Sequence, residues 1–243
     1  MALWIKNAAG KEDYKGLVFI HTPKTGGSFL RDMFHDLEYS TDEIREKHSY
    51  RNQLGISSFF TPRFAFVRQP FEWYLSFWGK KIKKFGYARC EEASIKDPRN
   101  LDPVNQLFVC NDPDASWHPT WSLELTAWDV DLKTFLNNVC ERTPGFYTEM
   151  IDQFTGHISN INPIEKVYTY ENFNNSVISL FEDFSIDTDI SRVKEILNDK
   201  DRSRYSAKKE YKNEMIYLTR KEKNYFKDKI NELEHRVLDT FYK

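Results

Sequence analysis

Cysteine is scarce, with three in 243 residues: Cys90, Cys110 and Cys140. They are far apart, form no CxxC pair, and as an odd number leave one unpaired in any disulfide scheme. That argues against a disulfide scaffold and a thiolate zinc site, and points to a reducing compartment, the cytoplasm. Long apolar runs are absent too; none approaches the roughly 18 residues of a membrane span. The opening MALWIKNAAGKEDYKG has no basic region leading into an apolar one, so no signal peptide is expected. Asn174-Asn175-Ser176 matches a glycosylation sequon and, without a secretory signal, is read as chance. Charge of one sign is also lacking: 35 Lys and Arg face 37 Asp and Glu, for a net charge of -2. Such a chain is no nucleic-acid coat, and any anion it binds must be held by a local cluster. Neither repeats nor low-complexity tracts occur.

What is present is ordinary globular material, 40% hydrophobic and 30% charged. Aromatics reach 16%, enough for a filled core plus a stacking surface or aromatic-lined cleft. The length fits one large α/β domain, and a single domain over residues 1–243 is expected, with 1–15 as a loose polar lead-in.

Leu17-Val18-Phe19-Ile20-His21 is a short apolar run that stops at Pro23 and Gly26-Gly27, as a buried strand ending in a tight loop does. Phe29, Leu30, Met33, Phe34 and Leu37 then fall at helical spacing. Phe64-Ala65-Phe66-Val67 is a second strand, followed by Arg68-Gln69-Pro70 and a helix through Leu75, Phe77, Trp78 and Ile82; Pro70 suits its first turn. Val167-Tyr168-Thr169-Tyr170 is a third strand, with a helix from Phe173 to Phe184. A helical pattern resumes from Asp131, and residues 189–240 are helical with a break around 199–207. Strand–loop–helix repeated in this way predicts a central parallel sheet flanked by helices. Residues 85–125, with four prolines and little periodicity, read as an irregular insertion over one face of the sheet, not a separate domain.

The sharpest feature is His21-Thr22-Pro23-Lys24-Thr25-Gly26-Gly27-Ser28, set between a strand and a helix. Two glycines let backbone N–H groups approach a ligand, the helix start offers N–H groups and a positive dipole end, and Lys24 adds a full charge. With the hydroxyls of Thr25 and Ser28 this makes a P-loop-like phosphate cradle. It is not a nucleotide triphosphatase loop, in which the Lys follows the last Gly. Arg68, after the second strand, stands where such a loop would want a carboxylate and suggests a second anion site. Ser76 follows eight residues later.

Phe19-Ile20-His21-Thr22-Pro23-Lys24-Thr25-Gly26-Gly27-Ser28 resembles the 5′-phosphosulfate loop of sulfotransferases that use 3′-phosphoadenosine 5′-phosphosulfate (PAPS). The nearest likeness is to the carbohydrate type, which includes heparan 2-O-sulfotransferases and bacterial relatives. Residues 64–78, from Phe64 through Arg68 to Trp78, resemble that family's 3′-phosphate segment, with the same order and spacing. Weaker similarity continues at Tyr168-Thr169-Tyr170-Glu171-Asn172-Phe173. Gln69 stands where the family has an acidic residue or Asn, and Trp73 and Tyr170 where Arg is common.

The resemblance implies sulfonate transfer from PAPS to an acceptor, with PAP as product and no metal. Lys24 would stabilise the leaving phosphate, while Pro23, Lys24, Thr25, Gly26, Gly27 and Ser28 would hold the 5′-phosphate. Arg68 and Ser76 would clamp the 3′-phosphate. The basic run Arg202-Ser203-Arg204 would close over the donor, the alternative being a solvated helix face. The acceptor must lose a proton, and His48, between the two donor motifs, is the first candidate base. Glu43, Glu46 and His118 stand behind it. Trp117-His118-Pro119-Thr120-Trp121 suits stacking on a sugar ring or packing in a core. The acceptor is a small molecule or a glycan, with lipid, phenol and peptide tyrosine also open. Neither a nucleic-acid nor a membrane partner is expected, and the oligomeric state is unknown. The alternatives are a small-molecule kinase, which would need Mg²⁺ and ATP, and a non-catalytic module that binds PAP without turnover.

Overall fold

A strand buried on both faces can be apolar throughout, and two such strands form the middle of the sheet. In a computed structural model, residues 2–6, 16–44, 51, 61–84, 131–199 and 218–243 are described. Strands β1 (Ala2–Lys6), β2 (Leu17–Ile20), β3 (Ser40–Ile44), β4 (Arg63–Val67) and β5 (Lys166–Thr169) make one five-stranded sheet in the order β3-β1-β2-β4-β5. Every residue of β2 and β4 is buried. Strands β2, β4 and β5 run parallel, with Phe19 beside Phe64, and Ala65 beside Val167. Their carboxyl ends therefore open on the same edge, where ligands of such sheets bind. Helices α1 (Gly27–Asp36), α5 (Phe173–Asp183) and α6 (Ile190–Asn198) share one core with these strands, built from Phe19, Leu30, Phe34, Phe66, Phe181 and Val193 among others.

The loose lead-in expected over residues 1–15 needs correction. Its first residues form β1, which pairs antiparallel with both β2 and β3. Ala2-Leu3-Trp4-Ile5 is a short apolar run, and Ile5 is fully buried. The loop that carries Lys24 accordingly follows the second strand of the chain, which is the first of the parallel set. The outermost strand, β3, is the polar sequence Ser40-Thr41-Asp42-Glu43-Ile44. A polar sequence suits the last strand of a sheet, where an apolar one would invite further pairing.

The chain gathers into two compact units. The first, Met1–Gln69, Thr148–Ser206 and Arg236–Lys243, carries the sheet. The second comprises Pro70–Tyr147 and Ala207–His235. Its described helices α2 (Pro70–Lys84), α3 (Leu132–Arg142) and α7 (Arg220–Leu233) pack on one another. Trp73, Tyr74, Phe77, Phe135 and Tyr147 form its aromatic core. The carboxylate of Glu234, 1% exposed, accepts the Tyr74 hydroxyl at 2.7 Å and the Tyr147 N–H at 3.2 Å. Burial first, then the charge of Glu234, push the Tyr74 phenol well above its ordinary value, so it stays protonated and donates. The ends of the helices are chemically specified. Asp131 caps α3 through the Thr134 N–H, Asp189 caps α6 through the Ser191 N–H, and Thr219 with Glu222 forms a capping box on α7. Helices α4 (Phe146–Thr155) and α8 (His235–Phe241) complete the described elements.

Candidate functional site

The loop between β2 and α1 is held from inside by two threonines. The Thr22 hydroxyl donates to the Phe66 carbonyl, tying the loop to the neighbouring strand β4. The Thr25 hydroxyl lies 2.8 Å from the Thr22 carbonyl, to which it donates, and 2.7 Å from the Thr22 hydroxyl. Both side chains are fully buried. Closed in this way, the loop holds two residues left-handed, Lys24 at φ 65° and Gly26 at φ 85°. Glycine takes this shape freely; for Lys24 it costs about 1–2 kcal/mol. Backbone that alternates in hand turns successive N–H groups toward one side, a concavity suited to an anion.

Gly26 is the N-cap of α1, so no side chain caps this helix, and its first turn holds no acidic residue. The first N–H groups of any α-helix lack intrahelical acceptors and carry the positive end of its dipole. Ser28, in that first turn, is exposed, and Lys24 is partly exposed. Gly27 has a different reason to be glycine. A Cβ there would fall on the imidazole of His21, which is buried against Phe19 with ring centroids 5.6 Å apart. His21 thus sets the seating of the loop on its helix.

Arg68 follows β4 as the loop follows β2, so the two share the carboxyl edge of adjacent parallel strands. It is 7% exposed, and its guanidinium carbon lies 4.9 Å from the centroid of the Tyr170 ring. A guanidinium on an aromatic face gains about 1–2 kcal/mol when largely desolvated. Tyr170 follows β5, and its N–H donates to the Val67 carbonyl at 2.8 Å. The same ring touches the loop: a Cβ on Gly26 would come within 3.0 Å of Tyr170 and of Phe173. Loop, Arg68 and Tyr170 are therefore one packed group on three consecutive strand exits. Beneath it, burial and then the Asp183 carboxylate, bonded to its hydroxyl at 2.8 Å, push the Tyr168 phenol far above its ordinary value.

Of the residues expected at the site, Pro23, Lys24, Thr25, Gly26, Gly27, Ser28 and Arg68 are brought together. The Thr25 hydroxyl is turned into the loop, bonded to Thr22. Ser76 lies on α2 in the second unit, 6% exposed. Trp73 is fully buried in the aromatic core of that unit, which accounts for an aromatic where a charged residue was usual. His48, Glu46, His118, Arg202, Ser203, Arg204 and the stretch 85–125 lie outside the described residues. Glu43 is on β3, opposite Leu3 of β1. Sequence reasoning assigned no site role to Tyr170, although it stands at the third strand exit as Arg68 stands at the second.

The residues present fit a phosphate-bearing ligand: an uncapped helix start, a left-handed loop with a lysine, and an arginine at the next strand exit. Among the described residues no three His, Cys, Asp or Glu side chains gather as a metal site would need. Among the same residues no helix is long and apolar enough to cross a membrane.

The fold and loop define an α/β protein with a glycine-rich strand–loop–helix unit at the carboxyl edge of its parallel strands. Compared with known families, residues 10–243 match the sulfotransferase family, and the chain belongs to it. This is an enzyme family, and membership implies PAPS-dependent sulfonate transfer. No curated protein and no solved structure matches the chain.

Proposed function

We propose that this sulfotransferase moves the sulfonate of PAPS to an acceptor hydroxyl by in-line displacement, with a glycan favoured as acceptor by the resemblance to the carbohydrate type. The observation that carries the reading is the single packed group of loop, Arg68 and Tyr170 across adjacent strand exits. It offers two cationic centres, one beside a helix start and one on an arginine, as a donor phosphorylated at both 5′ and 3′ positions requires.

PAPS supplies a sulfonate joined to a phosphate leaving group. Gly26, Gly27 and Ser28 hold the 5′-phosphate through backbone N–H groups and the Ser28 hydroxyl. Lys24 neutralises charge building on the leaving phosphate oxygen, where a preorganised cation is worth most. Arg68 reads the 3′-phosphate, its planar fork matching two phosphate oxygens. His48 takes the acceptor proton, and Arg202, Ser203 and Arg204 close over the donor. Three cysteines without a pairing scheme favour work in the cytoplasm.

The test is incubation with PAPS and a panel of glycan, phenol, lipid and peptide acceptors, following PAP release and sulfated product. The reading expects PAP release that depends on one acceptor class and is lost in Lys24→Ala. Phosphate transfer from ATP with Mg²⁺, and none from PAPS, would contradict it.

A further inference from the structure

Arg68 sits between two backbone hydrogen bonds. On one side the Val67 carbonyl accepts from the Tyr170 N–H at 2.8 Å. On the other the Gln69 N–H donates to Glu171 Oε1 at 2.7 Å. The other oxygen of that carboxylate, Oε2, accepts the Tyr242 hydroxyl, also at 2.7 Å. Tyr242 is brought there by α8: its N–H bonds the Leu238 carbonyl at 2.9 Å, and its neighbour Phe241 packs edge-on against His157 with ring centroids 5.9 Å apart. A line of bonds thus runs from Tyr242 through Glu171 to the peptide that follows Arg68.

We propose that Glu171 and Tyr242 form a positioning clamp for Arg68 and so set the preference for a 3′-phosphorylated nucleotide. This rests on the reading of Arg68 as the 3′-phosphate ligand. Glu171 is an exposed glutamate, and such a side chain loses rotamer freedom when held. A single bond to Gln69 holds it weakly; the second bond, from Tyr242, fixes both carboxylate oxygens. With them engaged by N–H and O–H donors, the carboxylate also presents less negative potential toward an anion held by Arg68. Loosening Glu171 frees the Gln69 peptide and lets Arg68 leave the pose in which it stacks on Tyr170. The bonds of Glu171 lead to the peptide after Arg68, so binding of the 5′-phosphate should not feel the loss of the clamp.

The experiment measures PAP and ADP affinities by titration calorimetry for wild type, Tyr242→Phe, Glu171→Ala, Glu171→Gln and the double variant Glu171→Ala/Tyr242→Phe. Glu171 is exposed and Tyr242 half-buried, and melting temperatures confirm that the variants fold. The ratio of PAP to ADP affinity should fall about threefold in Tyr242→Phe and about tenfold in Glu171→Ala, with ADP affinity unchanged. Glu171→Gln keeps an acceptor for the Gln69 N–H and should lose less than Glu171→Ala. The double variant should match Glu171→Ala alone, because Tyr242 acts through Glu171. An unchanged ratio, or an equal loss of both affinities, in variants of a wild type that prefers PAP overturns the clamp and leaves the donor reading standing. A wild type that binds PAP and ADP equally overturns the role of Arg68 and the clamp with it.

Discussion

Replacing Gly27 by alanine should destabilise the protein because of one neighbour. The added methyl falls on the His21 imidazole, whose ring is 6% exposed and stacked on Phe19. Either the ring leaves its site or the loop shifts, and forcing an extra methyl into a packed site costs about 1–3 kcal/mol. For a chain of this size that is a fall of about 2–12 °C in melting temperature. Gly27 opens α1 and is not left-handed, so alanine is otherwise the better residue there, by up to about 1 kcal/mol. The sign should therefore reverse once the ring is gone. In a His21→Ala background, Gly27→Ala should be neutral or stabilising, a coupling of about 1–3 kcal/mol between contacting residues. Urea unfolding of the four proteins in the cycle measures it. If Gly27→Ala costs the same with and without the imidazole, His21 does not impose the glycine, and the argument for how the loop is seated fails.

Lys24→Ala should lose about 10²–10³ in turnover with donor affinity largely kept, since its charge matters most as the leaving oxygen becomes negative; steady-state kinetics showing normal turnover and only a raised KM for PAPS would make it a binding residue. His48→Ala and His48→Asn should each lower turnover by about 10²–10⁴ and leave PAP binding intact, a result read by pairing rate measurements with calorimetry. Glu222 gives a pH dependence: the bond from Lys133 first, then those from Thr219, hold its carboxyl down at about 2 from an ordinary 4.5. A group whose folded pKa is depressed contributes stability above its ordinary pKa and loses it as pH falls toward the folded value. Melting curves should therefore show wild type more stable than Glu222→Gln at pH 7, with the gap narrowing between pH 4.5 and 2.

The centre of the sheet was legible because burial on both faces leaves a plain signal. Leu17–Ile20 and Phe64–Val67 are unbroken apolar runs, and each is a strand. The loop was legible for a related reason: Pro, two Gly and Lys between a strand period and a helix period leave few other shapes. The edge strands were not. Ser40-Thr41-Asp42-Glu43-Ile44 has no apolar pattern to announce it, and its pairing with β1 is what makes it a strand. β1 hides in five residues ahead of a polar stretch. Side-chain direction was also invisible. Thr25 looked like a phosphate-facing hydroxyl, yet its bonds go to Thr22. Gly27 looked like room for a ligand, yet it is room for His21. Tyr170 lies 102 residues from Arg68 in the chain, and nothing local announces that one will rest on the other.

The most direct measurement of the central claim is the affinity of PAP against ADP for wild type and Arg68→Ala. Two ligands that share the 5′ half differ at the 3′-phosphate and at the terminal 5′ group, and the variant isolates the former. Wild type should bind PAP about 10–100-fold more tightly than ADP, the range for charge-assisted bonds from an arginine to a phosphate. Arg68→Ala should bring PAP down to about the ADP level and leave ADP unchanged. Equal affinities in wild type, or a PAP preference that survives the loss of Arg68, would contradict the assignment of the donor site.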